Sequence, residues 1–220
     1  MVDGFEHMID AARPFFRGLA ANNEKAWFEP RKQDYVDDIR KPAEFFADLA
    51  AEDLSRITRQ PHLPKVYRIY RDVRFSKDKS PYNPWLHILW SQSDQDKLCA
   101  SWFFACGAEE LSLSVGVISL GGEDLRRYRA FIDKWGALVC ERLDAVTKRG
   151  GQISDYGAAP LKRVPKPYEA DHPHGGLIRR KGLVITQPFA EDWRERSFLS
   201  SFNQTVNDLM PVWSLFDQHL

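Results

Sequence analysis

Hydrophobic residues recur at helical spacing in the first quarter of the chain. Asn22-Asn23 precedes a short run that ends at Phe28, which is typical of an N-terminal cap ahead of a helix. Pro42 is suited to the first position of a further helix, which we expect to continue to about Leu54. The N-terminal part is therefore predicted to be helical.

A second helical pattern follows Gly121-Gly122. Its apolar positions are spaced by three, four or seven residues and form one stripe: Leu125, Tyr128, Ile132, Trp135, Val139 and Val146. Gly150-Gly151 is suited to end this long helix. A last helix is predicted from about Asp192 onward.

Between these helical parts the pattern changes to that of strands. Val66–Phe75 is rich in β-branched and aromatic residues and predicts a strand. Further strands are predicted at about 85–91, 98–106, 111–119 and 183–185. Residues 107–110 resemble a hairpin loop.

We therefore predict an α+β fold, with an antiparallel sheet packed by N-terminal helices, one long central helix and a C-terminal helix. The chain has 220 residues and no internal repeat or long linker, so one domain over residues 1–220 is the simplest organisation.

Composition adds an expectation about location. The three cysteines form no C-x-x-C pair, which fits reduced thiols in a reducing compartment. The first residues lack the features of a signal peptide, and the most apolar stretch, 111–120, is far shorter than the roughly 18 residues of a membrane span. We expect a cytoplasmic protein without membrane contact.

Charge is balanced overall but not along the chain. Lysine plus arginine and aspartate plus glutamate each total 31, which disfavours a broadly basic nucleic-acid binder. Residues 56–82, however, carry eight basic and two acidic groups, and residues 162–181 carry six and two. These two segments are candidates for binding an anionic partner.

Most familiar catalytic motifs are missing from the sequence. It contains no Walker-type phosphate loop, dinucleotide fingerprint, zinc-protease motif or serine-hydrolase elbow. Asp171-His172-Pro173-His174 offers two imidazoles, yet zinc needs about four ligands, so a hydrogen-bonded loop is the favoured interpretation. We predict no metal and no cofactor, and the sequence leaves open whether the protein is an enzyme.

Arg71 is the most informative residue of the first basic segment. On the predicted strand it shares a face with apolar side chains such as Ile69, Val73 and Phe75. A buried arginine needs either a carboxylate or an anionic ligand, and both alternatives stay open here. The turn that follows places further cations beside it, although a solvated loop is equally compatible with the pattern.

The predicted ligand-binding set takes in both basic segments. Its members are Arg71, Asp72, Arg74, Lys77, Lys79, Tyr82, Arg163 and Lys166. If residues 152–181 fold over the sheet, the two segments would line one cleft.

Three parts of the chain together resemble the domain-of-unknown-function 2461 family. They are Asn22-Asn23 with Trp27-Phe28, the run from Tyr70 to Tyr82, and the run from Leu161 to Tyr168 with His172-Pro173. The resemblance covers nearly the whole chain and implies a single cytoplasmic α+β domain. It marks seven residues as the family's central motif: Arg71, Asp72, Arg74, Lys77, Asp78, Lys79 and Tyr82. The family has no established activity, cofactor or catalytic residues that the resemblance could carry over to this chain.

Three functions fit these features. The first is binding of, or catalysis on, a small ligand that carries phosphate or carboxylate, with guanidinium groups as its contacts. The alternative is a protein-interaction or scaffold module. A second alternative is nucleic-acid binding with Tyr67, Tyr70 and Tyr82 as stacking residues, which the neutral net charge disfavours. The oligomeric state is left open.

Overall fold

A computed structural model describes residues 4–92, 98–157 and 159–220. Its α-helices are α1 (Phe5–Ala21), α2 (Lys25–Phe28), α3 (Lys32–Asp34), α4 (Lys41–Thr58), α5 (Gly122–Thr147), α6 (Gly175–Ile178) and α7 (Phe198–His219). Short 3-10 segments lie at Glu29–Arg31 and Glu191–Arg194, and Tyr35–Arg40 is π-helical. In the part of the chain just given, no helix is both long and apolar enough to cross a membrane.

Six strands form one antiparallel sheet. They are β1 (His62–Val66), β2 (Leu86–Gln92), β3 (Ser101–Cys106), β4 (Leu111–Val117), β5 (Gln152–Ile153) and β6 (Leu183–Pro188). Their order in the sheet is β1-β2-β3-β4-β6-β5. With helices around this sheet, the fold is α+β, which confirms the predicted class.

The contacts within the chain group it into two compact units. The first unit comprises Met1–Ser91, Phe103–Leu113 and Pro188–Gln204. The second comprises Gln92–Trp102, Ser114–Gln187 and Thr205–Leu220. That the whole chain is a single domain stays a prediction.

Aromatic side chains dominate the core of the first unit. Phe46 is fully buried, and its ring centroid lies 5.2–6.0 Å from those of five others: Phe5, Trp90, Phe104, Phe198 and Phe202. The indole of Trp90 donates a hydrogen bond to the carbonyl of Ala47 at 2.8 Å. A buried indole N–H is thereby satisfied, and the ring can remain in the apolar core without a polar penalty.

The predicted long helix is present in the second unit as α5, and it ends three residues before Gly150. Four residues of the predicted stripe are buried: Tyr128, Ile132, Val139 and Val146. Phe131 packs on Phe216 of α7, with 5.7 Å between ring centroids. The helical spacing of the sequence therefore identified the buried face of α5 correctly.

The prediction of a strand over Val66–Phe75 is wrong beyond its first residue. β1 ends at Val66, and the following residues form a loop whose two sides meet at a single bridge between Tyr70 and Tyr82. Two backbone hydrogen bonds flank this bridge, from Asn83 to Ile69 at 2.7 Å and from Arg71 to Pro81 at 2.9 Å. The assignment of alternate residues to opposite faces of a strand therefore does not hold for this segment.

Two aspartates explain why the strand does not continue. Asp72 accepts a hydrogen bond from the backbone N–H of Arg74 at 3.2 Å, and Asp78 accepts one from that of Ser80 at 2.9 Å. Short polar side chains that bond the backbone two residues onward stabilise turns in place of a strand. The β-branched and aromatic composition of the segment was outweighed by these local bonds.

Gly116 is required where β4 passes β6. Its φ is +150°, and a Cβ added there would lie 2.0 Å from the carbonyl oxygen of Leu183. We expect Gly116→Ala to lower the free energy of unfolding by roughly 2–4 kcal/mol, because the backbone of β6 would have to move. Gly121→Ala is the control, since nothing lies within 4 Å of its added Cβ. Equal losses in chemical denaturation of the two variants would contradict this expectation.

Candidate functional site

Tyr82, the last residue of the central motif, is held by two residues of the N-terminal helical region. The side chain of Asn23 accepts a hydrogen bond from the backbone N–H of Tyr82 at 3.0 Å and donates one to its carbonyl at 2.9 Å. The ring of Phe28 stacks on that of Tyr82, with 4.3 Å between centroids. Tyr82 is only 2% exposed, so its ring fixes the loop and is not presented to a ligand.

Arg71 and Asp78 close the loop from opposite sides. Nη1 of Arg71 lies 2.5 Å from Oδ2 of Asp78 and also donates to the carbonyl of Ser80 at 3.1 Å. The second carboxylate oxygen accepts the hydroxyl of Ser80 at 2.7 Å. The hydrogen bonds from Ser80, and then that from Arg71, hold the pKa of Asp78 well below its usual range. Of the two alternatives for Arg71, the structure contains the carboxylate partner.

The next three motif charges also bond within the loop. Arg74 makes a bidentate contact with Asp72, at 2.9 Å from Nε and 2.6 Å from Nη2, and this lowers the pKa of Asp72. The ammonium group of Lys79 donates to the carbonyl of Val73 at 2.9 Å. Five charged residues of the motif thus bond within the loop: Arg71, Asp72, Arg74, Asp78 and Lys79.

What this loop presents to solvent is an aromatic ring beside a guanidinium group. Phe75 is 96% exposed, and the guanidinium of Arg74 lies 5.9 Å from its ring centroid. Lys77 is also exposed. We refer to Arg74, Phe75 and Lys77 as the loop tip. The strand pattern had placed Phe75 on the apolar face beside Arg71, and the turn at Asp72 is the reason why it points outward instead.

Arg163 and Lys166 lie in the second unit, on an irregular segment between β5 and α6. Both are exposed. The two basic segments therefore belong to different units, and a shared cleft stays a prediction.

The second unit has a cleft of about 220 Å³ at the ends of β4 and β6. It is lined by Val117, Ile118, Ser119, Ser154, Asp155, Tyr156, Gly157, Ala159, Pro160, Arg180, Lys181, Gly182 and Val184. From the basic segment 162–181 the predicted ligand-binding set includes Arg163 and Lys166 but not Arg180 or Lys181. The run Arg179-Arg180-Lys181 before a glycine was the available signal.

Arg180 is the most firmly placed cation of this cleft. Its Nη1 donates to the carbonyl of Ser154 at 3.2 Å, and 22% of its side chain is exposed. The carboxylate of Asp155 lies 3.9 Å from Nη2, but this side chain is 98% exposed. The backbone carbonyl of Lys181 accepts the N–H of Leu120 at 2.7 Å, which ties the segment to the end of β4. Arg180 is thus held at the wall of the cleft by a backbone carbonyl, with one exposed carboxylate nearby.

The histidines considered as metal ligands form hydrogen bonds within the protein. Nε2 of His172 lies 2.9 Å from Asp133 of α5, and Nδ1 of His172 accepts the backbone N–H of His174 at 3.0 Å. Across residues 4–92, 98–157 and 159–220, no group of three or more His, Cys, Asp or Glu side chains is placed to hold a metal ion. The segment that contains His172 and His174 is therefore held by its own contacts with α5.

Comparison with known proteins places the chain beside one described family. A family model described as "Conserved hypothetical protein (DUF2461)" matches residues 11–214 of this chain. The search of curated proteins found no match. The matched range includes both the loop and the cleft.

Asn23 offers a test of how the loop is anchored. We expect Asn23→Ala to lower the free energy of unfolding by about 1–3 kcal/mol, since it leaves the backbone N–H and carbonyl of the buried Tyr82 without their partners. Asn22→Ala removes one exposed side-chain bond to Gly18 and should cost less than about 1 kcal/mol. Denaturant titration measures both, and a larger loss for Asn22→Ala would contradict the anchoring role.

Proposed function

The chain belongs to the DUF2461 family, and from its own side chains we propose that it binds a small anionic ligand in the cleft of the second unit. The ligand class is a compound with a phosphate or carboxylate group. The observation that carries the proposal is Arg180, whose guanidinium is held on the carbonyl of Ser154 at the wall of a cleft.

Arg180 has the properties that anion recognition requires. A guanidinium presents five N–H donors in a fixed plane, so the bond to Ser154 and the 3.9 Å contact with Asp155 leave further donors for a carboxylate or phosphate. Its limited exposure means that little side-chain freedom is lost on binding. The charge is also less screened there than on an open surface.

The rest of the lining supports a small polar ligand. Lys181 brings a second positive charge, and the hydroxyls of Ser119, Ser154 and Tyr156 can donate to ligand oxygens. A volume of about 220 Å³ is below that of pockets for drug-sized molecules and suits a compact ligand. Asp155 is the one opposing charge, and its exposure allows it to turn toward solvent when an anion enters.

The loop at residues 70–82 is the weaker place for a small anion. Arg71, Arg74 and Lys79 have donors engaged by Asp78, Asp72 and the carbonyl of Val73. An incoming anion would compete with carboxylates that are already within hydrogen-bond distance. At the cleft the competing carboxylate is more distant, because that of Asp155 lies 3.9 Å from Arg180 and the closest bond of Arg180 is to the neutral carbonyl of Ser154.

Binding can be tested by calorimetry and thermal unfolding with inorganic phosphate, adenosine monophosphate and citrate at constant ionic strength. We expect a rise in melting temperature with concentration of one of these anions. Arg180→Gln should weaken that binding by about tenfold to a hundredfold, the range for hydrogen bonds to charged groups.

Arg179→Gln is the matched control, because its neighbouring charge does not line the cleft. We expect it to bind the anion as the wild type does. Stabilisation by none of the three anions, or an equal loss in both variants, would contradict the proposal. A loss confined to Arg71→Gln would instead locate anion binding at the loop.

The loop tip favours a second candidate function, an interaction module for an acidic protein surface. A fully exposed phenylalanine is unusual, and arginine with aromatic residues is the combination enriched at the energetic centres of interfaces. The ion pairs behind the tip hold it in place before binding, which reduces the entropy lost on association.

This candidate can be tested with a photo-crosslinking residue at position 75 in cells. We expect protein adducts that disappear when Arg74 and Lys77 are both replaced by Glu, because an acidic partner would then be repelled. The same crosslinker at Tyr156, an exposed aromatic position outside the loop, is the control. Identical adducts at both positions would refute a specific surface, and adducts with RNA or DNA would favour nucleic-acid binding instead.

A further inference from the structure

A cysteine and a histidine that are far apart in sequence meet in the second unit. Sγ of Cys140, on α5, lies 3.7 Å from Nδ1 of His174, which immediately precedes α6. Both side chains are half-buried. Neither residue lines the anion cleft, so this pair is independent of the function proposed above.

Gly136 makes room for the imidazole against α5. A Cβ at this position would lie 2.2 Å from Cδ2 of His174. A glycine inside a helix costs about 1 kcal/mol relative to alanine, so its presence in the middle of a 26-residue helix needs an explanation. The close approach of His174 supplies one, because the ring occupies the space that any side chain would take. Cys140 stands one turn further along the same face.

The side chain of His172 links the backbone of His174 to the same helix. His172 accepts the N–H of His174 on Nδ1, so its neutral ring carries the proton on Nε2 and donates it to Asp133. Asp133 lies two turns before Cys140 on α5. The imidazole of His174 is thereby positioned both by its neighbour in the chain and by the absence of a side chain at Gly136.

We propose that Cys140 is a nucleophilic thiol for which His174 is the base, and that it is a site of covalent modification by electrophilic carbon compounds. Nδ1 of His174 accepts the proton of the thiol, and the thiolate is the attacking species. With an alkyl halide, the sulfur–carbon bond forms as the carbon–halogen bond breaks. The halide leaves with the bonding pair, and the imidazolium then releases the proton to solvent.

The other two cysteines provide internal references. Cys106 is fully buried, and burial raises its pKa to about 12, so it should react only if the protein unfolds. Cys99 is half-buried, as Cys140 is. Differences in the reaction of Cys99 and Cys140 therefore report on their surroundings at comparable exposure.

The proposal is tested by the rate at which iodoacetamide alkylates each cysteine of the folded protein at neutral pH. The protein is digested after the reaction, and mass spectrometry of the peptides measures the alkylated fraction at each cysteine. We expect Cys140 to react about tenfold faster than Cys99, and His174→Asn to slow Cys140 by about tenfold while Cys99 is unchanged. Gly136→Ala should slow Cys140 as well, because it displaces the imidazole. His7→Asn, an exposed histidine in the first unit, is the control and should change no rate.

Whether His174→Asn slows or speeds the alkylation of Cys140 shows whether His174 acts as a base or only shields the thiol from solvent. If His174 only shields the thiol, its removal exposes Cys140 and alkylation becomes faster, which would overturn the proposal. Cys99 reacting as fast as Cys140 in the wild type would also overturn it. Labelling of Cys106 in a variant would reveal unfolding, and the wild-type comparison of Cys140 with Cys99 then decides the question without variants.

Discussion

The side-chain amide of Asn23 does for Tyr82 what a neighbouring strand would do, because it bonds both the N–H and the carbonyl of that residue. The ring of Phe28 adds a stacked contact on the same residue. Exposed ion pairs contribute little by themselves, since solvent screens them and two side chains must be ordered. The pairs in the loop can persist because Tyr82 fixes one end of it and the bridge to Tyr70 fixes the other. Anchoring thus comes first, and the charged motif depends on it.

The two basic segments use their charge in different ways. In the loop, Asp72 and Asp78 offset two of the guanidinium groups, so the motif contributes to local order and leaves its tip exposed. At the cleft, Arg180 is oriented by the neutral carbonyl of Ser154, and the carboxylate of Asp155 lies 3.9 Å away on an exposed side chain. The number of positive residues in a segment does not distinguish the loop from the cleft. The group that each cation bonds to does distinguish them. The net charge of a segment therefore indicates only a region in which an anion could bind. Which cations can bind it depends on the positions and partners of their N–H donors.

Elements with a long regular pattern of hydrophobic residues could be predicted from the sequence. A segment in which side-chain hydrogen bonds compete with strand formation could not. The stripe that identified α5 spans six turns, and the hairpin loop at residues 107–110 is present, closed by a bond from Gly107 to Glu110 at 2.9 Å. The segment after Val66 has strand composition, yet two aspartates that bond nearby N–H groups turn it into a loop and expose Phe75. The surroundings of Arg180 and Cys140 come from parts of the chain that only folding brings together. The run Arg179-Arg180-Lys181 indicates positive charge, but spacing within one segment does not show which residues surround it in the fold.

The central claim is that residues 71–82 form an ordered loop, stabilised by their own charged side chains and anchored through Tyr82. Backbone 15N relaxation of these residues tests it most directly. We expect order parameters of about 0.85, the value of rigid backbone, for every residue from Arg71 to Tyr82 except Pro81, which has no N–H, and Phe75 is included although its side chain is exposed. Order parameters below about 0.6 between Asp72 and Ser80 would show a flexible segment and would contradict the claim.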